Sequence, residues 1–197
     1  MPTHTLQRHS ISKKEISVLP IKYYTGPIHL VDSDEKMKAA VRSLAREKVL
    51  GFDTETRPAF KKGESYLPSI LQLAGSDGVY IFQIGRIDSH RPLAGILADH
   101  NVLKVGISVS DDIKKLKEVL PFKPLGFMEL AGMAAKAGIK NAGIRGLAAL
   151  LFDFRISKQT QCSRWDAPRL AHAQILYAAT DAWICREIYF ALKIRED

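Results

Sequence analysis

Three short apolar stretches in the first half of the chain leave little freedom of fold. Residues 49–53, 70–74 and 79–84 are rich in Val, Ile, Leu and Phe, and only Gly75-Ser76-Asp77-Gly78 separates the last two. Four residues of that composition make a tight reversal, so the stretches predict an antiparallel meander. Residues 102–107 read as a buried strand between helical patterns at 90–100 and 111–120, the second ended by Pro121. Residues 28–31 offer another short strand. Asp32-Ser33-Asp34 then offers an N-cap for a helix through about residue 46, with Met37, Val41 and Leu44 at helical spacing. Residues 127–130 fit either a final strand or the start of the next helix, and further helices are expected at about 129–137, 144–151 and 170–194. The result is an α/β pattern: a mixed sheet of five strands, the meander plus parallel strands, flanked by helices.

At 197 residues with 46% hydrophobic content, the chain suits one self-sufficient domain. Residues 1–27 mix Ser, Lys and His with a single acid, Glu15, and carry no helical period. They are expected to form a mobile or loosely docked arm ahead of a domain at 28–197. That arm lacks the apolar core of roughly 7–15 residues that a secretory signal needs. The longest apolar run, residues 147–152, falls far short of the roughly 20 needed for a membrane span. Two cysteines, Cys162 and Cys185, exclude a disulfide framework or a multi-cysteine zinc site and fit the cytoplasm or another reducing compartment. The net charge of +8 suits a polyanionic partner. The basic excess sits in residues 1–48 and 101–197, while 49–100 is nearly neutral, as when acids gather at one site.

Those acids are the chemical signal. Asp53 and Glu55 close an apolar strand at i and i+2, so both leave the same face. Two such carboxylates repel each other unless a cation lies between them, and hard oxygen ligands suit magnesium or manganese. Asp181 interrupts Leu176-Tyr177-Ala178-Ala179-Thr180-Asp181-Ala182-Trp183, a stretch of apolar and small residues, and shares a helix face with Tyr177 four residues earlier. An acid beside buried surface needs a partner. Asp111 and Asp112 lie in a helical first turn that Ser110 can cap, where acids also occur for helix-dipole reasons alone. There is no phosphate loop, dinucleotide-binding glycine turn or His-Glu-x2-His zinc helix.

Phe52-Asp53-Thr54-Glu55-Thr56, Ser110-Asp111-Asp112-Ile113-Lys114-Lys115-Leu116 and Tyr177-Ala178-Ala179-Thr180-Asp181 resemble the three motifs of the 3′–5′ exonucleases with four acidic residues, in their tyrosine subclass. Cys162-Ser163-Arg164-Trp165 and Ser69-Ile70-Leu71-Gln72-Leu73-Ala74 resemble the same family, in the group that includes ribonuclease D and the exonuclease domain of the Werner syndrome helicase. The resemblance spans roughly residues 28–194 and implies a ribonuclease-H-like fold. It also implies two divalent ions, Mg²⁺ or Mn²⁺, held by Asp53, Glu55, Asp112 and Asp181, with Tyr177 orienting the attacking water. Asp112 is preferred to Asp111 because an apolar residue follows four positions later, as in the family. Thr56 is placed to meet the terminal 3′-hydroxyl. Arg57, Lys61, Lys62 and Arg164 are candidates for a phosphate track or plain surface charges, and Trp165 for a base platform or a core residue. The expected activity is release of nucleoside 5′-monophosphates from the 3′ end of a nucleic acid, DNA by analogy with the Werner exonuclease. The alternatives are an RNA-processing exoribonuclease or a non-catalytic nucleic-acid-binding module.

Overall fold

In the computed structural model, which describes residues 8–196, six strands form one mixed sheet. They are β1 (Ile28–Val31), β2 (Val49–Thr56), β3 (Pro68–Ala74), β4 (Val79–Gln83), β5 (Leu103–Gly106) and β6 (Phe127–Glu129), in the spatial order β1-β4-β3-β2-β5-β6. The meander is present: β2, β3 and β4 run antiparallel, and the Gly75 N–H donates to the Gly78 carbonyl at their reversal. β1 lies parallel to β4, β5 to β2, and β6 to β5. The expected five strands become six because Phe127–Glu129, open between strand and helix in the sequence, pairs with Lys104–Gly106.

Helices cover both faces: α1 (Lys13–Val18), α2 (Asp34–Leu44), α3 (Arg91–Leu97), α4 (Val109–Val119), α5 (Leu130–Lys136), α6 (Ile144–Phe152) and α7 (His172–Glu196). Ser33 caps α2 as expected, accepting from the Lys36 N–H. The start of α4 differs from expectation. Ser110 is not its cap; the helix begins at Val109, after Ser108 in the left-handed region at φ 56°. Glu129 supplies the missing acceptor from the end of β6. One of its oxygens takes the Val109 N–H at 3.0 Å and the other the Ala131 N–H at 3.1 Å, so one carboxylate caps α4 and α5 together.

The alternation of β2 sorts the two layers. Leu50 and Phe52 enter a core with Leu71, Leu73 and Phe82 beneath α2, α3 and α4. Gly51, Asp53 and Glu55 turn to the other face, where α7 lies. That helix presents Ala178, Ala179 and Ala182 to the sheet, small residues that permit a close approach. A Cβ on Gly51 would fall 1.9 Å from the Ala182 carbonyl oxygen, so only glycine lets α7 sit at this depth.

The described part of the arm packs against the domain; residues 1–7 lie outside the described residues. Ser12 and Glu15 form a capping box on α1, and Ile11 and Ile16 are buried in the cluster built by α5, α6 and α7. Asn141 binds both main-chain groups of Ile11, at 2.9 and 3.0 Å. Ile21 forms a bridge with Arg155, and the Tyr24 N–H donates to Thr180 Oγ1, beside Asp181. Among the described residues, no helix is long and apolar enough to cross a membrane.

Lys104 on β5 is fully buried, yet each of its three donors has a carbonyl: Ile96 at 3.1 Å, Asp99 at 2.7 Å and Val102 at 2.7 Å. Its ammonium group also lies 5.1 Å from the centre of the Phe127 ring. The lysine ties the end of α3 to the strand that leads to α4. Lys104→Met keeps the stem but strands three carbonyls, at a cost of about 2–3 kcal/mol. Thermal unfolding should show Tm lower by roughly 5–10 °C; an unchanged Tm would mean that water satisfies those carbonyls.

Candidate active site

The acids meet where β2 ends beneath α7. Asp53 and Glu55 leave β2 on the face toward α7, which lowers Tyr177 and Asp181 onto them from successive turns. Asp53, Glu55 and Asp181 each offer an oxygen within 4.8 Å of the others. Glu55 and Asp181 are buried and Asp53 is half-buried. Among the described residues, no Lys, Arg or His forms an ion pair with any of the three. Asp181 Oδ1 is buried without a hydrogen-bond partner.

Burial and crowding disfavour the charged forms. Desolvation, then the charges of Asp181 and Asp112, push Asp53 well above the usual carboxylate range. Desolvation, then the charges of Asp53, Asp181 and Asp112, raise Glu55 to about 10. Asp181 rises to about 7 through desolvation, opposed by the nearby Tyr177 hydroxyl and the charge of Arg145. Tyr177 is raised above its ordinary value by burial first and then by Asp181 and Glu55. Hard oxygens crowded in one place, one of them orphaned, fit a divalent cation.

Asp112 approaches from across the strand. It accepts a 2.5 Å hydrogen bond from Thr54 Oγ1, and Thr54 points to the opposite face of β2 from Asp53 and Glu55. Asp112 is therefore outside the group of three, though its charge raises both β2 acids. It is half-buried, whereas Asp111 is exposed on the surface with Lys114 and Lys115.

The remaining expected residues divide. Thr56 ends β2 just after a register shift between Glu55 and Thr56. Lys61 and Lys62 are exposed on the loop that follows. Arg57 donates to Asp166 at 3.1 Å and lies over the Tyr66 ring at 4.8 Å. Arg164 pairs with the same Asp166 at 3.4 Å. Arg57 thus joins the 57–67 loop to the 164–168 segment, while Arg164 keeps most of its side chain exposed. Trp165 is fully buried, packed on Tyr177 with its Nε1 donating to the Gln161 carbonyl, so no ring face is open to a base. Of the two roles open to it in the sequence, the structure gives it the core one.

A cavity of about 210 Å³ opens over the acids, and Arg145, Ser157, Lys158 and Gln161 line it with them. None of the four was expected at the site. One signal existed for Arg145: it is the sole charge in residues 143–152, an otherwise apolar helix and its lead-in. The others lie in irregular chain whose course the sequence does not fix.

The profile of a family described as 3′–5′ exonuclease matches residues 28–195. Ribonuclease D of Acidiphilium cryptum (strain JF-5) is 32% identical over 182 residues, covering 89% of this chain and 45% of that protein. The human exonuclease mut-7 homolog is 28% identical over 215 residues, covering 92% of this chain and 24% of that protein. The chain thus spans less than half the length of either relative. The crystal structure of the Aedes aegypti Nibbler EXO domain has a TM-score of 0.80 at 25% identity, covering 88% of this chain and 92% of that one. Escherichia coli RNase D has a TM-score of 0.78 at 19% identity over 86% of this chain and 45% of that one, a likeness of fold alone.

Acids whose values are raised by folding bind more protons folded than unfolded, so their contribution to stability is lost as pH rises from the ordinary carboxylate range. For Asp181 the window runs from 3.8 to about 7, and for Glu55 from 4.5 to about 10. Metal-free protein should therefore have a higher Tm at about pH 5 than at about pH 8, and saturating Mn²⁺ should recover the difference. Asp53→Asn should raise the metal-free Tm at the higher pH and abolish the Mn²⁺ response. A Tm indifferent to both pH and Mn²⁺ would contradict this reading.

Proposed function

This chain belongs to the 3′–5′ exonuclease family, and on that premise we propose that it removes nucleoside 5′-monophosphates one at a time from the 3′ end of a nucleic-acid strand, using two divalent ions, Mg²⁺ or Mn²⁺. The observation that carries the reading is the group of Asp53, Glu55 and Asp181, oxygens within 4.8 Å of one another and unpaired with any cationic side chain among the described residues. These three would hold one ion, and Asp53 with Asp112 the side toward the second. Such ions, when bound, would acidify the attacking water and stabilise the leaving 3′-oxygen.

The chain's own residues do the rest. The Tyr177 hydroxyl keeps its proton at neutral pH, because the ordinary phenol value of 10.0 already lies well above it and burial pushes it higher. Its role is therefore to orient the attacking water by hydrogen bonding and not to deprotonate it. The main chain at Thr56, where the register of β2 shifts, meets the terminal 3′-hydroxyl. Arg145 and Lys158 line the cavity with the acids and offer positive charge to the phosphate there. A binding module without catalysis is the weaker reading, since all four acids and the tyrosine are present.

The name of ribonuclease D, at 32% identity, favours an RNA strand beside the DNA strand that resemblance to the Werner exonuclease implied. We place the reaction in a reducing compartment such as the cytoplasm, where exposed Cys162 would remain a free thiol.

Matched 5′-labelled DNA and RNA strands test the reading. Each strand that is a substrate should shorten to a ladder from its 3′ end with Mg²⁺ or Mn²⁺ and stay intact with EDTA. Early release of the 5′ label as a mononucleotide, or full activity in EDTA, would overturn it. Tyr177→Phe keeps every ligand and the packing of the ring. Its kcat should fall by roughly 10²–10³-fold, as when one transition-state donor is lost, with KM and the Mn²⁺-induced rise in Tm unchanged. Parental kcat in that variant would make Tyr177 a core residue only.

A further inference from the structure

Gln72 is fully buried, and neither its Oε1 nor its Nε2 has a hydrogen-bond partner. Asp181 Oδ1 is the only other side-chain atom in that condition among the described residues. A buried amide with both ends empty is costly, and native proteins rarely keep one without a use. Its place in the sheet suggests the use. The register sets Gln72 of β3 directly opposite Asp53 of β2, and on its other side opposite Ile81 of β4. Residues so paired share a face, with Cβ atoms about 4.5–5.5 Å apart. The amide therefore lies beside Asp53, beneath the turns of α7 that bring Tyr177 and Asp181 to the site.

Nothing else on that face calls for a polar group. Ile70 and Ala74, two residues to either side of Gln72, join Ile81, Ala178, Ala179 and Ala182 in one apolar cluster. The alanines offer no side-chain donor or acceptor, and the α7 main chain is bonded within its helix. For packing alone, Leu or Met would serve better. A lysine or arginine would bring its own positive charge among the acids and compete with a divalent ion. A neutral donor can orient a carboxylate without competing.

We propose that Gln72 is a positioning residue for the metal-ligating acids, its Nε2 donating to the Asp53 carboxylate once the acids gather on a divalent cation. One lone pair of Asp53 is then held by the amide, which fixes the direction of those left for the ion. This rests on the exonuclease reading for the purpose of the site, while the placement of the amide stands on the sheet register.

The test is Gln72→Met, which keeps length and approximate volume and deletes both polar atoms, with Gln72→Leu as the second variant. Three measurements are made: Tm without metal, Mn²⁺ affinity by calorimetry in the absence of nucleic acid, and steady-state kinetics on a labelled strand. The metal-free Tm should hold or rise, because orphaned polar atoms are replaced by apolar ones. Mn²⁺ affinity should weaken by about 10–100-fold, the usual effect of removing a group that orients a ligand. The kcat should fall, with KM for the strand unchanged. Mn²⁺ affinity within about twofold of the parent would overturn the proposal. So would a large loss of metal-free Tm, or failure of both variants to fold, since the amide would then support the fold itself. If the parent binds no Mn²⁺, the exonuclease reading fails; if the parent binds and the variant binds equally well, only the role of Gln72 fails.

Discussion

Mutual repulsion among Asp53, Glu55 and Asp181 is the constraint that shapes this molecule. Three carboxylates lie within 4.8 Å of one another, largely out of water and without a cationic partner among the described residues. At the separations of a protein interior, such charges cannot all ionise without a counter-ion. The fold therefore holds an arrangement that is unfavourable by itself at neutral pH and becomes favourable with a divalent cation. Sites that bind metal for catalysis commonly trade stability for readiness in this way.

The surrounding structure reads as the means of keeping those acids together. Gly51 lets α7 descend until Ala182 touches β2, which carries Asp181 down to the strand. Glu129 caps α4 and α5 at once and so fixes the turn that bears Asp112. Lys104 holds the end of α3 against β5, the strand that leads into α4. The arm fastens the other side, through Ile21 to Arg155 and through the Tyr24 N–H to Thr180, whose hydroxyl also donates to the Leu176 carbonyl. Thr180 and Arg155 are close in sequence to Asp181 and to Lys158, so the arm braces chain that lines the site.

Much of this was legible in the sequence where one residue carried the information locally. Gly75-Ser76-Asp77-Gly78 announced the reversal, and Asp53, Glu55 and Asp181 stood out as charges in apolar surroundings. The failures share a cause, which is dependence on residues far along the chain. Ser110 looked like a cap because the sequence does not show that Glu129, twenty residues from Val109, reaches back to its N–H. Phe127–Glu129 stayed open because three residues cannot declare a strand until an edge is there to pair with. Arg57 and Arg164 stayed open between phosphate ligands and plain surface charges, because the sequence does not show that Asp166 lies between them. Asp111 and Asp112 share a helical turn, and only Thr54 across the sheet separates their surroundings. The isolation of the Gln72 amide has no local signal, since it needs both neighbouring strands and α7 in place.

The role proposed for the three carboxylates is to hold a divalent cation. The most direct measurement is anomalous diffraction from crystals soaked in Mn²⁺ with a nucleoside 5′-monophosphate. A strong manganese peak bounded by Asp53, Glu55 and Asp181, with a second on the Asp112 side of Asp53, is the predicted result. Ordered manganese elsewhere in the crystal with none among these carboxylates would contradict the account at its root.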